Sequence, residues 1–330
     1  MAISNSVRIG RARARANFAL IKYWGKADAR LNVPAVGSIS ITLDALVTAT
    51  TVELDPELAS DELTLNGRRR DVDVAKISAC LDLLRRRAGV TTRARVTSSN
   101  NFPTGAGLAS SASGFAALVL AGEAALKLAL SPRERSIVAR QGSGSAARSI
   151  FGGFVEMHAG TAPDGRDSFA EPLLAGSDWP LEVVIAVTAK EEKEVGSRSG
   201  MTRSAVSSPY YAAWVAEQPP DLAAARAAIR ARDFAALADV AEHNCLKMHA
   251  AAIAARPPLV YWNGATVECL RTVQRLRAGG MPVFFTIDAG PQLKAVCAPG
   301  ARLEVEAALR AVPGVQELLT SPLGAGAELY

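Results

Sequence analysis

Hydrophobic and polar positions alternate along much of the first hundred residues with the period of two that marks a strand. Residues 7–14 alternate in this way and run into 16–26 (ANFALIKYWGK), an apolar strand-like piece ending in two lysines, Tyr23 and Trp24. β-Branched alternation continues through 38–43 (SISITL), 45–54 and 63–65. The spacing becomes helical over 74–87, and a short strand at 94–98 leads into the loop 101–114 (NFPTGAGLASSASG). Residues 115–130, rich in Ala and Leu, predict a long helix. A second helix follows over 132–140, with Ser131 as its cap and Pro132 at its first position. Another Gly/Ser loop, 141–153 (QGSGSAARSIFGG), precedes a strand at 154–157, a turn at 164–167 and a buried strand at 181–188. Beyond a charged, glycine-containing loop at 190–201 the pattern predicts helices at 203–216, 220–229, 234–253 and 266–278. Strands at 282–287 and 293–297, a helix at 303–311 and a closing strand at 316–319 complete it. The change of character near 181–188 divides the chain into domains 1–185 and 186–330, and the mixture predicts an α+β fold.

Composition alters this picture little. With 330 residues, 49% hydrophobic and 21% charged, the chain can bury a large core. A net charge of +5 raises the question of nucleic acid. The arginines, however, are spread along helical segments such as 83–87 and 223–232 with few aromatics among them, as on solvated faces. Some of these cations suit an anionic small substrate instead. Cys80, Cys245, Cys269 and Cys297 form no CxxC pair, which favours free thiols in a reducing compartment. His158, His243 and His249 have no zinc spacing. The Arg-rich start at 8–15 lacks the apolar core of a signal peptide, and no uncharged apolar run approaches the roughly 20 residues of a membrane helix. A cytoplasmic protein is expected.

The first Gly/Ser loop carries the first chemical signal. Gly105 and Gly107 allow close backbone approach, and Ser110, Ser111 and Ser113 follow just ahead of a helix whose first-turn N–H groups favour an anion. No G-K-[ST] follows, so this is not a Walker loop. Taken alone, a serine-capped glycine turn accounts for it as well as a phosphate site does. Asp288, after a buried strand, reads by default as a turn cap, Lys22 as a snorkelling surface lysine and Arg148 as a helix-surface arginine.

The order of several motifs changes these readings. ALIKYWGK (19–26), NFPTGAGLASSASGFAAL (101–118), GSGSAARSIFGGFVE (142–156), GSRSGM (196–201), MHA (248–250) and DAGP (288–291) occur in succession over nearly the whole chain. Together they resemble the diphosphomevalonate decarboxylases of the GHMP kinase superfamily. The chain departs from that pattern at Gly105, where the family often has Ala, at Ala147 (Cys), at Met157 (Trp) and at Gln292 (Asn).

The resemblance implies a ribosomal-S5-like first domain and a ferredoxin-like second domain, with the active site between them. It implies an ATP- and magnesium-dependent reaction on mevalonate 5-diphosphate. The tertiary hydroxyl is phosphorylated, then phosphate and carbon dioxide leave and isopentenyl diphosphate forms. Asp288 would orient or deprotonate the hydroxyl, Lys22 would neutralise phosphate charge, and Arg148 would hold the leaving carboxylate bidentately. Ala19, Tyr23, Trp24, Lys26, Ser143, Gly144, Ser145, Arg198, Met201 and Ala289 would contact substrate. Ser98, Thr104, Gly105, Ala106, Gly107, Leu108, Ala109, Ser110, Ser111 and Ser197 would hold the nucleotide. Trp24 and Met201 read equally as core. No protein ligand for the metal is identified. The family also implies a homodimer. His249 reads as a satisfied core histidine, and Glu242 and Lys247 as solvated or paired helix residues. Rival readings are a phosphomevalonate decarboxylase, a mevalonate 3-kinase, a non-catalytic ligand-binding relative and, remotely, a nucleic-acid binder.

Overall fold

The alternation over 8–15 and the apolar run after it belong to one strand, β1 (Arg8–Ile21), in a computed structural model that describes residues 8–102, 108–191 and 194–330. Its first half exposes Arg11 and Arg13 and buries Ala12 and Ala14. Its second half is buried on both faces, which is why the alternation disappears there. After the short pair β2 (Lys26–Asp28) and β3 (Val33–Pro34), the predicted strands at 38–43 and 45–54 are likewise a single one, β4 (Ser38–Asp55). β1 and β4 pair antiparallel along most of their length, with register shifts between Arg15 and Asn17 and between Ala19 and Ile21.

β5 (Glu62–Leu65), β6 (Arg68–Arg69), α1 (Asp71–Ala88), β7 (Arg93–Asn100), α2 (Ser110–Ala125) and α3 (Pro132–Gly142) follow. Helix α2 begins and ends five residues before the predicted span. Ala109 takes a left-handed conformation (φ 57°) that turns the chain into the helix, and Lys127 (φ 53°) breaks it again. Ser131 caps α3 with Pro132 at its first position, as predicted, and Glu134 completes a reciprocal capping box. The second Gly/Ser loop is mostly a 3₁₀ turn, Gly144–Ile150, leading into β8 (Phe154–Met157) and β9 (Ala170–Leu174). The sequence pattern did not indicate β9, whose five residues include Pro172 and two exposed positions.

The remaining elements are β10 (Glu182–Val187), α4 (Ser197–Ser207), α5 (Tyr211–Ala216), α6 (Gln218–Ala231), α7 (Phe234–Ile253), α8 (Gly264–Ala278), β11 (Val283–Ile287), β12 (Leu293–Cys297), α9 (Arg302–Arg310), β13 (Glu317–Pro322) and β14 (Glu328–Leu329). Helix α4 starts inside the span expected to be loop. β13 is not the closing strand: β14 returns to pair antiparallel with β1, with Ala12 opposite Leu329 and Arg13 opposite Glu328.

The first sheet runs β14-β1-β4-β7-β5-β6, with β8 on β4 and β9 on β8; the second runs β11-β12-β10-β13. The expected boundary at 185/186 falls inside β10, which lies in the second sheet. Helices α1–α3 cover the first sheet through a core that includes Leu54, Leu81, Leu84, Val96, Val119 and Val138. Gly10 lets α2 lie directly on β1, since a Cβ there would sit 1.9 Å from the Ala121 carbonyl oxygen. A second core joins the two sheets: Phe18, Leu20, Ile39 and Ile41 meet Val183, Ile185, Leu237 and Phe284. Along β10 the alternate residues Val184 and Ala186 turn to the opposite face, where Val305 of α9 also packs. Both faces of the second sheet are thus covered. Trp24, Met201, Trp214, Met248 and Leu259 form a smaller cluster beside the joint.

Candidate active site

Where β1 ends, the chain is held by side chains of α6 and α7. The Lys22 N–H donates to Asn244 Oδ1 at 2.7 Å, and the Lys22 carbonyl accepts from Gln218 Nε2 at 2.8 Å. Asn244 in turn donates to Gln218 and Asp221, whose carboxylate also pairs with Lys247 at 2.7 Å. This network fixes the backbone from which the Lys22 side chain departs. That side chain is buried rather than snorkelling: Nζ donates to the Ala19 carbonyl and to Asp288 Oδ1, both at 2.8 Å.

Asp288 stands just beyond β11, in the turn that leads to β12. Its second oxygen, Oδ2, lies 3.4 Å from Nζ of Lys294, a fully buried lysine whose ammonium packs 4.5 Å from the centroid of the Phe18 ring. Burial would raise the Asp288 carboxyl. Lys22 and Lys294, with Arg148 further off, outweigh it and hold the group well below the usual carboxylate range. Asp288 is therefore ionised.

Arg148 lies in the 3₁₀ turn, buried, with Nε donating to Asn17 Oδ1 at 3.2 Å and Nη1 to Ser38 Oγ at 2.6 Å. Burial lowers its pKa to about 10, opposed by Asp288 and Tyr23, so it stays charged at neutral pH. Burial pushes the Tyr23 phenol up to about 12, and its Oη has no partner among the described residues. Gly144 makes room for that hydroxyl, since a Cβ there would lie 2.3 Å from it. Lys26 donates to Asn32 Oδ1 at 2.5 Å, and burial followed by the nearby Arg198 brings its pKa down to about 8.

These groups share one cleft of about 470 Å³. Ala19 comes from the end of β1, Lys22, Tyr23 and Trp24 from the segment that follows it, and Lys26 from the start of β2. Ser143, Gly144, Ser145 and Arg148 come from the second Gly/Ser segment, Ser197, Arg198 and Met201 from the start of α4, and Asp288 and Ala289 from the turn after β11. Leu108, Ala109, Ser110 and Ser111 reach the same cleft at the start of α2. Neither α2 nor α4 has a side-chain N-cap among the described residues, and both helices begin at the cleft. Among the described lining residues, Lys22, Lys26, Lys76, Arg148 and Arg198 are cationic and Asp288 is the one carboxylate.

A smaller adjoining cavity of about 230 Å³ shares Lys76, Ser110, Ser111 and Phe115 with the cleft. Leu63, Leu65, Val96 and Leu118 give it apolar walls, and Ser98 lines it rather than the cleft, bonded to Thr50 at 2.9 Å. Thr104, Gly105, Ala106 and Gly107 lie outside the described residues.

Trp24 is both wall and core, with its ring edge-on to Tyr261 at 6.1 Å. Met201 is likewise both. His249 is buried, with Nε2 3.1 Å from the Ile287 carbonyl oxygen, and burial lowers its pKa to about 3, so it is a neutral core residue. Glu242 is paired, accepting from Arg277 and from the Phe285 N–H. The departures Ala147 and Met157 pack in one small cluster and line neither cavity. Gln292 is buried and ties β12 to β10 by accepting from the Thr188 N–H and donating to the Ala189 carbonyl. All four cysteines are free and buried. Among the described residues, no group of three or more His, Cys, Asp or Glu is placed to hold a metal.

Sequence reading missed Lys294, Asn17, Asn244 and Gln218. A lysine inside the otherwise apolar strand LKAVC was the signal for the first. The others act through backbone or through Arg148 and leave no motif.

Comparison with known proteins gives one answer. Residues 14–170 match the diphosphomevalonate decarboxylase-like N-terminal domain, and residues 183–309 the mevalonate 5-diphosphate decarboxylase C-terminal domain. Diphosphomevalonate decarboxylase mvd1 of Aspergillus fumigatus is 41% identical over 315 residues, covering 88% of this chain and 78% of the relative. The solved mevalonate diphosphate decarboxylase of Enterococcus faecalis, in a study of ATP binding mediated by mevalonate diphosphate, is 38% identical with a TM-score of 0.90, covering 98% of this chain and 99% of that one. MDDEF in complex with MVAPP, AMPPCP and magnesium is 39% identical with a TM-score of 0.91 over the same shares. The α+β architecture is the GHMP kinase fold. With both halves matched, and identity near 40% across most of its length, the chain belongs to the diphosphomevalonate decarboxylase family.

Proposed function

We propose that this protein is an ATP-dependent decarboxylase that converts mevalonate 5-diphosphate to isopentenyl diphosphate, ADP, phosphate and carbon dioxide. The observation that carries the reading is an ionised carboxylate, Asp288, flanked by Lys22 and Lys294 in a cleft whose other charged lining residues are all cations. Such a lining suits a substrate with a carboxylate and a diphosphate beside a nucleoside triphosphate.

In this reading the tertiary hydroxyl lies against Asp288. Its proton passes to the carboxylate as the oxygen bonds the γ-phosphorus and ADP leaves. So acidic a group is a weak base, so Asp288 orients the hydroxyl early and takes the proton late. The bond to the carboxylate carbon then breaks. Its electron pair forms the new double bond, phosphate departs with the C–O pair, and carbon dioxide is released. Arg148 orients the departing carboxylate, and Lys22 offsets charge on the transferred phosphoryl group.

Tyr23, Lys26, Ser143, Gly144, Ser145 and Arg198 receive the diphosphate end, while Ala19, Trp24, Met201 and Ala289 shape the remaining wall. The N–H groups and hydroxyls opening α2, with Ser197, take the triphosphate, and the apolar cavity beside Ser98 takes the nucleotide's base. Magnesium neutralises phosphate charge when bound. The residues of this lining that would stand beside it are hydroxyls such as Ser110, Ser111 and Ser197, with Asp288 the one carboxylate.

We further read the first sheet with α1–α3 as the S5-like domain and the second sheet with its helices as the ferredoxin-like domain. Burial of four free thiols supports a reducing, cytoplasmic setting. Among the described residues no helix is long and apolar enough to cross a membrane. A homodimer is the family expectation, which sedimentation velocity tests.

The decisive assay measures ADP and carbon dioxide from magnesium-ATP with mevalonate, its monophosphate or its diphosphate. Equal release of both products from the diphosphate supports the reading. ADP without carbon dioxide makes the protein a kinase, and preference for the monophosphate makes it a phosphomevalonate decarboxylase.

A further inference from the structure

Lys294 is the unexpected residue of the second sheet. It sits on β12 between Leu293 and Ala295, opposite Ile185 on one side and Thr286 on the other, with no exposed surface. An ammonium is a costly group to bury, and a methionine of similar length would fill the same space without that cost. Its neighbours show what the charge meets. Nζ lies 3.4 Å from Asp288 Oδ2 and 4.5 Å from the centroid of the Phe18 ring, a contact that favours a cation.

The two lysines hold the carboxylate differently. Lys22 takes Oδ1 at 2.8 Å and lines the cleft, whereas Lys294 takes Oδ2 from behind and does not. Anions filling the cleft compete for Lys22, the cation they can reach. Their charge also pushes Asp288 toward protonation, at the moment when it must be ionised to receive a proton. We propose that Lys294 is a positioning residue for Asp288: it fixes Oδ2 and keeps the carboxylate charged while bound anions engage Lys22.

The other groups around the pair do not supply this charge from behind. Cys245 and His249, from α7, are held uncharged by burial, and Arg148, from the 3₁₀ turn, is directed to Asn17 and Ser38. Burial lowers Lys294 itself to about 8, opposed by Asp288 and reinforced by Lys22, so it remains charged at neutral pH.

The inference rests on Asp288 facing the reacting hydroxyl, so the test separates the two claims. Wild-type release of ADP and carbon dioxide from mevalonate diphosphate examines the reaction alone. Full-length Lys294→Met, Lys294→Gln and Lys294→Arg then examine the lysine by kcat against pH. They are also compared by the ¹³C carboxyl titration of Asp288, assigned with Asp288→Asn, which needs no turnover. Lys294→Met should lower kcat about 100-fold, with KM for ATP little changed. The acid limb of kcat and the Asp288 titration should both move up by about 1–3 pH units. Lys294→Arg should keep both near wild type. A folded Lys294→Met with an unmoved acid limb and an unmoved carboxyl titration would reduce Lys294 to packing and overturn the proposal. If that variant does not fold, the same two readings on Lys294→Gln decide.

Discussion

At the scale of single residues, the site is a problem of keeping charge where water is scarce. Asp288 faces two lysines, and on the proposed reading its removal takes away the group that orients and deprotonates the hydroxyl. Asp288→Ala should fold, bind ATP and lose at least about a thousandfold in kcat, measured by coupled ADP release. Near-normal turnover in a folded variant would end the assignment. Lys26 gives a prediction with a sign. Its pKa is lowered from 10.5 to about 8, so the folded protein loses that proton across neutral-to-alkaline pH. KM for the diphosphate substrate should therefore rise above about pH 8, and Lys26→Arg, which stays charged, should flatten the rise. Unfolding would not imitate this effect. Between the two values the unfolded chain holds the proton that the folded chain releases, so this group adds stability as pH rises. Thermal melts at about pH 7 and 9 check that half of the argument.

At the scale of elements, legibility followed the range of the signal. Helix α3 could be read to its first residue, because Ser131 and Pro132 act within one turn. Ser131→Ala should cost about 1 kcal/mol in denaturant unfolding and leave kcat unchanged. Helix α2 was misplaced because its start is set by the backbone at Ala109 rather than by a strong helix former. The break predicted within β1 vanished because burial on both faces erases alternation without ending a strand, whereas β4 runs on through the exposed pair Asp44 and Ala45, at its register shift against β1. In the site, motif residues such as Lys22, Arg148 and Asp288 were legible as types in order. Asn244 and Gln218 were not, since they work on the Lys22 backbone from 222 and 196 residues away. Gly144 lies between these cases, since its need is visible once Tyr23 is placed beside it. Gly144→Ala should displace the Tyr23 hydroxyl and raise KM for the diphosphate substrate about tenfold, with the melting curve nearly unchanged. An unaltered KM would show that the ring has room to move.

At the scale of the molecule, the two sheets are bound by more than their shared apolar core. Glu156 of β8 is buried and accepts two hydrogen bonds from Arg226 of α6, at 2.6 and 2.9 Å. Arg226→Met leaves that carboxylate without its partner, and a loss of about 3 kcal/mol is expected from chemical denaturation. Because the core is continuous across the joint, unfolding should remain one transition; two resolved transitions would mean that the halves are energetically independent. The return of β14 to β1 adds an order in time. A ribosome delivers Glu328 and Leu329 after the whole second sheet, yet they pair with Ala12 and Arg13 on the outer edge of the first. Through most of synthesis that edge is an unpaired strand, and the emerging first half also carries the apolar face made for its later partner. Nascent chains stalled before residue 180 should therefore recruit chaperones, and part of the guard against self-association comes from residues made only after the second sheet.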